Sequence, residues 1–383
     1  MVSESALSPD SPHRLDTLTH IAQTFLGDGA IQDIRPLGDG NINDTYLVKA
    51  DRLFVLQRIN TEVFPQPHLV MDNLCRFVSH VQQKLKNTPL PHRWEVPTVL
   101  NTAHSQHHWQ DSQGHVWRCL SFVENTTTFN TIQSREHATE VGYGLGCFHS
   151  LLSDLSTNGL ADTLPEFHIT PNYLQGYDRV LAQTDTFSLE EHRCCKLIAT
   201  HREQLTVLEQ AKADGHLPLR SIHGDPKINN ILIDTTTDRA VSLIDLDTVK
   251  PGLVHYDIGD CLRSSCNPLG EETANWQAVT FDVDLCAAVL QGYLSRASDF
   301  LTPVEYDYIY DAIWLIAFEL GLRFFSDHLA GDIYFKTQRP QHNLQRALVQ
   351  FQLAESICQQ KQTIQTIISQ LKSKYCSEAH RAA

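Results

Sequence analysis

The residues best suited to chemistry lie between Ser221 and Asp234, where two apolar runs flank a loop too rich in polar groups to be core. His223-Gly224-Asp225 is followed by Asn230, five residues after the aspartate, which gives the pattern H-x-D-x-x-x-x-N. In phosphoryl transfer this spacing lets the aspartate receive the proton of an attacking hydroxyl while the asparagine holds a metal ion. A second segment, Ala240 to Asp247, is an apolar run that ends in carboxylates, and Asp245 falls where a further magnesium ligand belongs. Such transfer passes through a loose transition state, so the protein's task is positioning and charge neutralisation. Asp225 is therefore the expected base. Asn230 and Asp245 are the expected Mg²⁺ ligands, few enough to leave the remaining positions to phosphates and water. Lys227, inside the loop, is placed to neutralise a transferring phosphate, and His223 is expected to anchor the loop by hydrogen bonds. Asp247 follows Asp245 by two, so in a strand the pair shares a face and can share a metal or divide the work between metal and substrate. Other chemistries lack their parts: the sequence has no H-E-x-x-H, G-x-S-x-G, G-x-x-x-x-G-K-[ST] or EF-hand pattern.

These groups need elements to hold them. After a polar tail, residues 1–14, apolar residues at Leu15, Leu18, Ile21, Ala22 and Phe25 predict a short helix. Strands are predicted over Ile31 to Leu37, Thr45 to Val48 and Leu53 to Ile59, rich in β-branched and aromatic residues. The first turn carries Gly38 and Gly40, which let backbone N–H groups approach a triphosphate. A third glycine is absent, since Asn43 holds its place. The third strand is expected to supply a cation for the phosphates, and its one candidate is Arg58. Gln57 and Arg58 point to opposite faces, and the pattern does not fix which faces the nucleotide. A helix over Pro67 to Leu85 brings Asp72 as the expected carboxylate partner of that cation. Strands over Val96 to Leu100 and His115 to Val123 close a small sheet, with His104, His107 and His108 in a hydrated connection. Phe122 and Glu124 end it where backbone would meet an adenine. Helices are predicted over Glu136 to Leu155, Ser188 to Ala213, Asp282 to Ser295, Pro303 to Ala330 and Leu344 to Leu371, with Gly142, Gly144 and Gly146 explained by close helix packing.

Length and composition fit this reading. At 383 residues the chain exceeds what one hydrophobic core supports, so two lobes are expected: 15–124 for nucleotide, and 125–383 for the catalytic loop and substrate site. A net charge of -15 argues against partners that need clustered Lys and Arg, namely nucleic acid and anionic membrane. The ten cysteines include no C-x-x-C pair, so scattered buried thiols are expected. Glu4 and Asp10 and the lack of an apolar run before Arg14 suit neither a signal nor a transit sequence. A cytoplasmic, reducing location is the expectation.

His223-Gly224-Asp225, Asn230, Ile244-Asp245 and Tyr256-Asp257-Ile258-Gly259-Asp260 together resemble the aminoglycoside phosphotransferase and choline kinase superfamily, from about Ile31 to the C-terminal helix. Within it the sequence is most similar to N-acetylhexosamine 1-kinases. The likeness lies in Gly40 to Tyr46, Val55 to Asn60, Ile244 to Val249, Gly321 to Phe325 and Gly331 to Lys336. The resemblance implies an α+β, two-lobed, protein-kinase-like fold with a small antiparallel β-sheet N-lobe and a mostly helical C-lobe. It implies ATP and Mg²⁺, and phosphorylation of the anomeric hydroxyl of an amino sugar, N-acetylglucosamine or N-acetylgalactosamine. It also carries Asp225, Arg323 and Tyr334 into the sugar site, with Asn41 at a glycine-loop position where some relatives have His. Without it, the plain reading of Arg323 is an ion pair with Glu319, four residues earlier on the same helix. Kinases of homoserine, of choline-like alcohols or of other sugars, and a nucleotide-binding pseudokinase scaffold, are the alternatives. The intact Asp225, Asn230 and Asp245 favour an enzyme, and the Gln57-Arg58 pair is what favours a scaffold.

Overall fold

The structure, a computed structural model, describes residues 12–27, 29–38 and 42–382. The chain is α+β, with a small antiparallel sheet in its N-terminal part and a helical C-terminal part. It divides into two compact units, Met1–Gln83 with Glu95–Glu124, and Lys84–Trp94 with Asn125–Ala383.

In the first unit, α1 (Pro12–Leu26) precedes β1 (Asp33–Pro36), β2 (Asp44–Lys49) and β3 (Leu53–Ile59). Then come α2 (Pro67–Asn87), whose last residues belong to the second unit, and β4 (Val99–Leu100), β5 (Trp109–Gln110) and β6 (Val116–Ser121). The sheet runs β1-β2-β3-β6-β4, with β5 also on β6. Strand alternation sorts its residues cleanly. Tyr46, Phe54, Leu56, Trp117 and Cys119 share the face that packs on Leu18, Ile21, Ala22 and Phe25 of α1. Gln57, Thr45 and Arg118 lie side by side on the opposite face. The helix starts at Pro12, three residues before Leu15, because proline at the first turn gives up an N–H that would have no partner anyway. Of the expected strand, Val99–Leu100 pairs with β6 and the Thr98 carbonyl accepts the Ser121 N–H, while Pro97 before them has no N–H to offer.

The second unit comprises β7 (Thr126–Thr127), α3 (Arg135–Leu152), α4 (Thr170–Leu181), α5 (Leu189–His201) and α6 (Val207–Ala213), then β8 (Arg220–Ile222), β9 (Ile231–Asp234), β10 (Ala240–Leu243) and β11 (Lys250–Gly252). It closes with α7 (Val254–Ser265), α8 (Val283–Ala297), α9 (Pro303–Asp307), α10 (Ile309–Leu329), α11 (His342–Gln359) and α12 (Lys361–Ala382). Three long helices expected from periodicity are each interrupted. Arg202–Thr206 tightens into a 3₁₀ turn, Tyr308 separates α9 from α10, and Gln360 turns its amide to the Phe281 carbonyl. α4 and α7 had no counterpart in the sequence reading.

Backbone-to-backbone packing organises this unit. A Cβ at Gly142 of α3 would lie 1.9 Å from the Val289 carbonyl, and one at Gly292 of α8 would lie 1.9 Å from that of Thr139. At Gly146 the nearest atom would be the Tyr293 carbonyl, at 2.6 Å. Only glycine permits this approach, which agrees with the packing role expected for Gly142 and Gly146. Among the described residues no helix is long and apolar enough to cross a membrane, and no cysteine is in a disulfide.

Candidate active site

The loop carrying Asp225 joins β8, which pairs with β11, to β9, which pairs with β10. Its backbone is tied down at almost every polar atom. The Asp257 carboxylate, from α7, accepts the His223 N–H at 2.7 Å and the Gly224 N–H at 2.8 Å. The Thr248 hydroxyl donates to the His223 carbonyl at 2.7 Å, and His168 meets the Gly224 carbonyl at 2.9 Å. His223 anchors the loop as expected: its Nδ1 accepts the Asp225 N–H, while Nε2 donates to the Ile244 carbonyl at 2.9 Å. Burial holds this ring's pKa below its ordinary value, so it stays a neutral hydrogen-bonding group. Gly224 has φ +88, and a Cβ there would fall 2.8 Å from the Thr248 carbonyl. Asp257 is itself held by His149, whose Nε2 lies 2.8 Å away and whose Nδ1 lies 3.0 Å from the Tyr293 hydroxyl.

The fixed loop presents Asp225, Lys227 and Asn230, and Asp245, just past β10, acts on the same lysine. Lys227 Nζ pairs with Asp225 Oδ2 at 2.9 Å, and both remain partly open to solvent. The Asp225 charge, opposed by burial and aided by Asp245, raises the lysine's pKa, so the ammonium is permanent. The Asn230 amide nitrogen donates to the Asp225 carbonyl at 2.8 Å, which fixes the amide's orientation and turns its oxygen away from that bond. Asp245 sits in the left-handed region at φ 63. It is exposed, whereas Asp247 is buried, so the expected shared face does not exist. The reason is local: β10 stops at Leu243, and Leu246–Thr248 forms a 3₁₀ turn, which ends strand alternation before the first carboxylate. The Asp247 carbonyl accepts the Thr163 hydroxyl at 3.1 Å.

An amide oxygen and a carboxylate suit a hard cation such as Mg²⁺, which favours oxygen ligands and keeps much of its water. Among the described residues no three His, Cys, Asp or Glu side chains group as metal ligands. The Asn230 amide oxygen and the Asp245 carboxylate are oxygen donors of the kind Mg²⁺ takes.

Arg323 lies on α10, and its expected partner is engaged elsewhere. Glu319 accepts from the Thr170 hydroxyl at 2.6 Å and meets His168 at 2.9 Å. The half-buried guanidinium of Arg323 packs instead over Phe167, Tyr173 and Phe335, at 5.1, 5.0 and 5.4 Å from the ring centres. Among the described residues it forms no ion pair. Burial works against its charge, and the fields of Tyr173, Glu319, Tyr334 and Asp225 outweigh that, raising its pKa. Tyr334 is 60% exposed. Its segment is stapled by Asp327, whose carboxylate accepts the N–H groups of Ile333, Tyr334 and Phe335 at 3.0, 2.8 and 2.9 Å.

In the first unit Gly38 has φ 71, in the left-handed region that glycine enters without strain. Gly40 and Asn41 lie outside the described residues. Arg58 is on the α1 side of the sheet, paired with Asp44 across β2 and not with Asp72, which is exposed on α2. Gln57, on the other face, accepts both Nε and Nη2 of the buried Arg118 at 3.0 and 2.8 Å and donates to Thr45 at 3.1 Å. Phe122, half-buried, and Glu124, exposed, follow β6 at the end of this unit. Arg118 and His168 were not singled out from sequence, and Asp257 was noted only within the Tyr256 to Asp260 motif, without a role. A search for cations on the strands flanking the third one would have found Arg118.

The sequence model of a family described as the phosphotransferase enzyme family matches residues 33–295. Solved structures with a similar fold include an aminoglycoside phosphotransferase from Alicyclobacillus acidocaldarius, 17% identical, covering 97% of this chain and 98% of its own, with a TM-score of 0.57. A microcompartment-associated aminopropanol kinase is 15% identical over 91% of this chain and 98% of its own, with a TM-score of 0.59. A choline kinase from Cryptosporidium parvum is 14% identical over 94% and 99%, with a TM-score of 0.58. At these identities the likeness is one of fold.

Proposed function

The chain belongs to the phosphotransferase enzyme family, and on that premise we propose that it is an ATP-dependent small-molecule kinase that phosphorylates the anomeric hydroxyl of an N-acetylhexosamine. Asp225 takes the hydroxyl proton as the sugar oxygen attacks, and its ion pair with Lys227 keeps a cation beside the reacting groups. Asn230 and Asp245 would hold Mg²⁺, which supplies charge neutralisation on the phosphates when bound. Of the nucleotide contacts, Gly38 and Gly40 belong to the phosphate turn, and Phe122 and Glu124 to the adenine. Arg118, on the sheet face that α1 does not cover, takes the cationic role sought at Arg58.

The observation that carries the substrate reading is the aromatic surround of Arg323. A guanidinium seated on three rings donates to sugar hydroxyl or acetamido oxygens, while a ring such as Tyr334 covers the apolar face of a pyranose. Asp247 and Asn41 complete the set assigned to substrate. Amino alcohols are the second reading, because the family's fold neighbours include kinases of that kind. A rigid cation already occupying the aromatic surround disfavours a cationic acceptor. The deciding experiment is ADP release over a panel of N-acetylhexosamines, other sugars, homoserine and choline, with the phosphorylated position located by ³¹P NMR. N-acetylglucosamine or N-acetylgalactosamine 1-phosphate is the expected product. Phosphate on the 6-hydroxyl, or preference for an amino alcohol over every sugar, overturns the substrate assignment.

A further inference from the structure

We infer that His168 is held as an imidazolium and acts as a positioning residue, tying the loop that carries Asp225 to the helix that carries Arg323. The ring is 4% exposed. Its Nε2 lies 2.9 Å from the Gly224 carbonyl oxygen, and its Nδ1 lies 2.9 Å from Glu319 Oε1. Both of these are acceptors. A neutral imidazole has one N–H and satisfies only one of them, whereas the imidazolium satisfies both. The second Glu319 oxygen accepts from Thr170 at 2.6 Å, as an ionised carboxylate does.

The carboxylates that act on the ring favour the charge: Glu319 from α10 and Asp260 from α7. Arg323 of α10, Tyr173 of α4, and Asp225 and Lys227 of the loop are the other charged or titratable groups of this region. Tyr256 stacks on the ring at 5.3 Å between centres, and Phe167, 4.0 Å from the ring between centres, also carries Arg323 at 5.1 Å. Burial opposes the charge, and the Glu319 carboxylate followed by Asp260 outweighs it, so the pKa rises above the ordinary 6.5. Glu166 and His168 both adopt left-handed backbone, at φ 69 and 67, a conformation that persists where the surroundings hold the turn in place.

The Gly224–Asp225 peptide is thereby fixed on both edges, its carbonyl by His168 and its N–H by His223 Nδ1 at 3.2 Å. Losing the proton on His168 removes one donor. Either Glu319 is released, which frees the helix one turn before Arg323, or the Gly224 carbonyl is, which lets the peptide bearing Asp225 rotate. The sign follows from the raised pKa: the clamp is intact below the ordinary value of 6.5 and is lost as pH rises through the higher folded value.

This inference rests on the reading of Asp225 as the residue that meets the acceptor hydroxyl, so the first measurement is independent of activity. In the wild-type protein with ¹⁵N-labelled histidine, the His168 ring, assigned by its loss in His168→Gln, should show two protonated nitrogens at pH 6.5, the ordinary histidine value. A neutral ring at that pH overturns the proposal. With the sugar kinase assay, wild-type kcat should fall on an alkaline limb, and Glu319→Gln should move that limb to lower pH. His168→Gln should remove the limb and lower kcat by roughly 10- to 100-fold, with KM for ATP within about twofold. A merely structural histidine would lower thermal stability and leave the limb in place in Glu319→Gln, and that outcome also overturns the proposal. No kinase activity in the wild type, with a doubly protonated ring, would overturn the reading of Asp225 and uphold the imidazolium.

Discussion

Asp257 grips Gly224 from another element: its Oδ1 accepts the glycine N–H at 2.8 Å across 33 positions of sequence, while Oδ2 takes the neighbouring His223 N–H. The carboxylate is fully buried, so each of these bonds is made without competition from water. Asp257→Asn puts an amide N–H against a backbone N–H. Leaving a buried donor without an acceptor costs about 1–3 kcal/mol. The melting temperature should drop, and kcat should fall at least tenfold at temperatures where circular dichroism shows the variant folded. A variant as active as wild type would mean the loop does not need this anchor.

Asp225→Asn keeps the shape of the side chain and removes the base. General-base contributions are about 10²- to 10⁴-fold, so kcat should fall by that much or more while ATP still protects the protein against heat. Activity within a few-fold of wild type would remove Asp225 from the base position.

Asn230 and Asp245 differ in charge, and that difference predicts their ranking. Asp245→Ala should raise the magnesium concentration needed for half-maximal rate more than Asn230→Ala does, because only the former removes a negative ligand. Chelation by EDTA should abolish turnover in all three proteins, and magnesium should restore it. Unchanged magnesium dependence in both variants would show that neither is a ligand.

Arg323→Ala removes the cation from among its three rings. A hydrogen bond to a charged group contributes about 1.5–3 kcal/mol, so kcat/KM for the sugar should fall by roughly 10- to 100-fold. The KM for ATP should hardly change. Arg323→Lys should rescue little, since an ammonium does not reproduce the flat guanidinium seated on Phe167 and Tyr173. Equal loss of sugar and ATP affinity would point to general unfolding of α10 instead.

How much of this was legible depends on sequence separation. His223, Asp225 and Asn230 stand in one short loop, so spacing alone grouped them, and the expected anchoring role of His223 is what its two ring bonds perform. Arg323 and Tyr334 emerged only from resemblance, because nothing in helical periodicity says that Glu319 is already occupied by His168 and Thr170. His168 meets Gly224 across 56 positions, and no pattern within either segment announces the other. The assumption that Asp245 and Asp247 share a face extended strand alternation past Leu243, where a left-handed residue breaks it. Arg58 is the cation within the third strand itself, whereas cross-strand register, which a single strand does not reveal, places Arg118 beside Gln57 on the neighbouring one.

The glycine contact between α3 and α8 has a genetic consequence. Gly146 lies three residues before His149, and Gly292 adjoins Tyr293, so the hydrogen bond between those two side chains depends on how closely the helix backbones meet. A methyl group at either glycine forces the helices apart, draws His149 off Asp257, and releases the loop that Asp257 holds. A random-mutagenesis screen scored only for lost activity would therefore mark these glycines as though they were catalytic, although they reach the loop only through intermediaries such as His149 and Asp257.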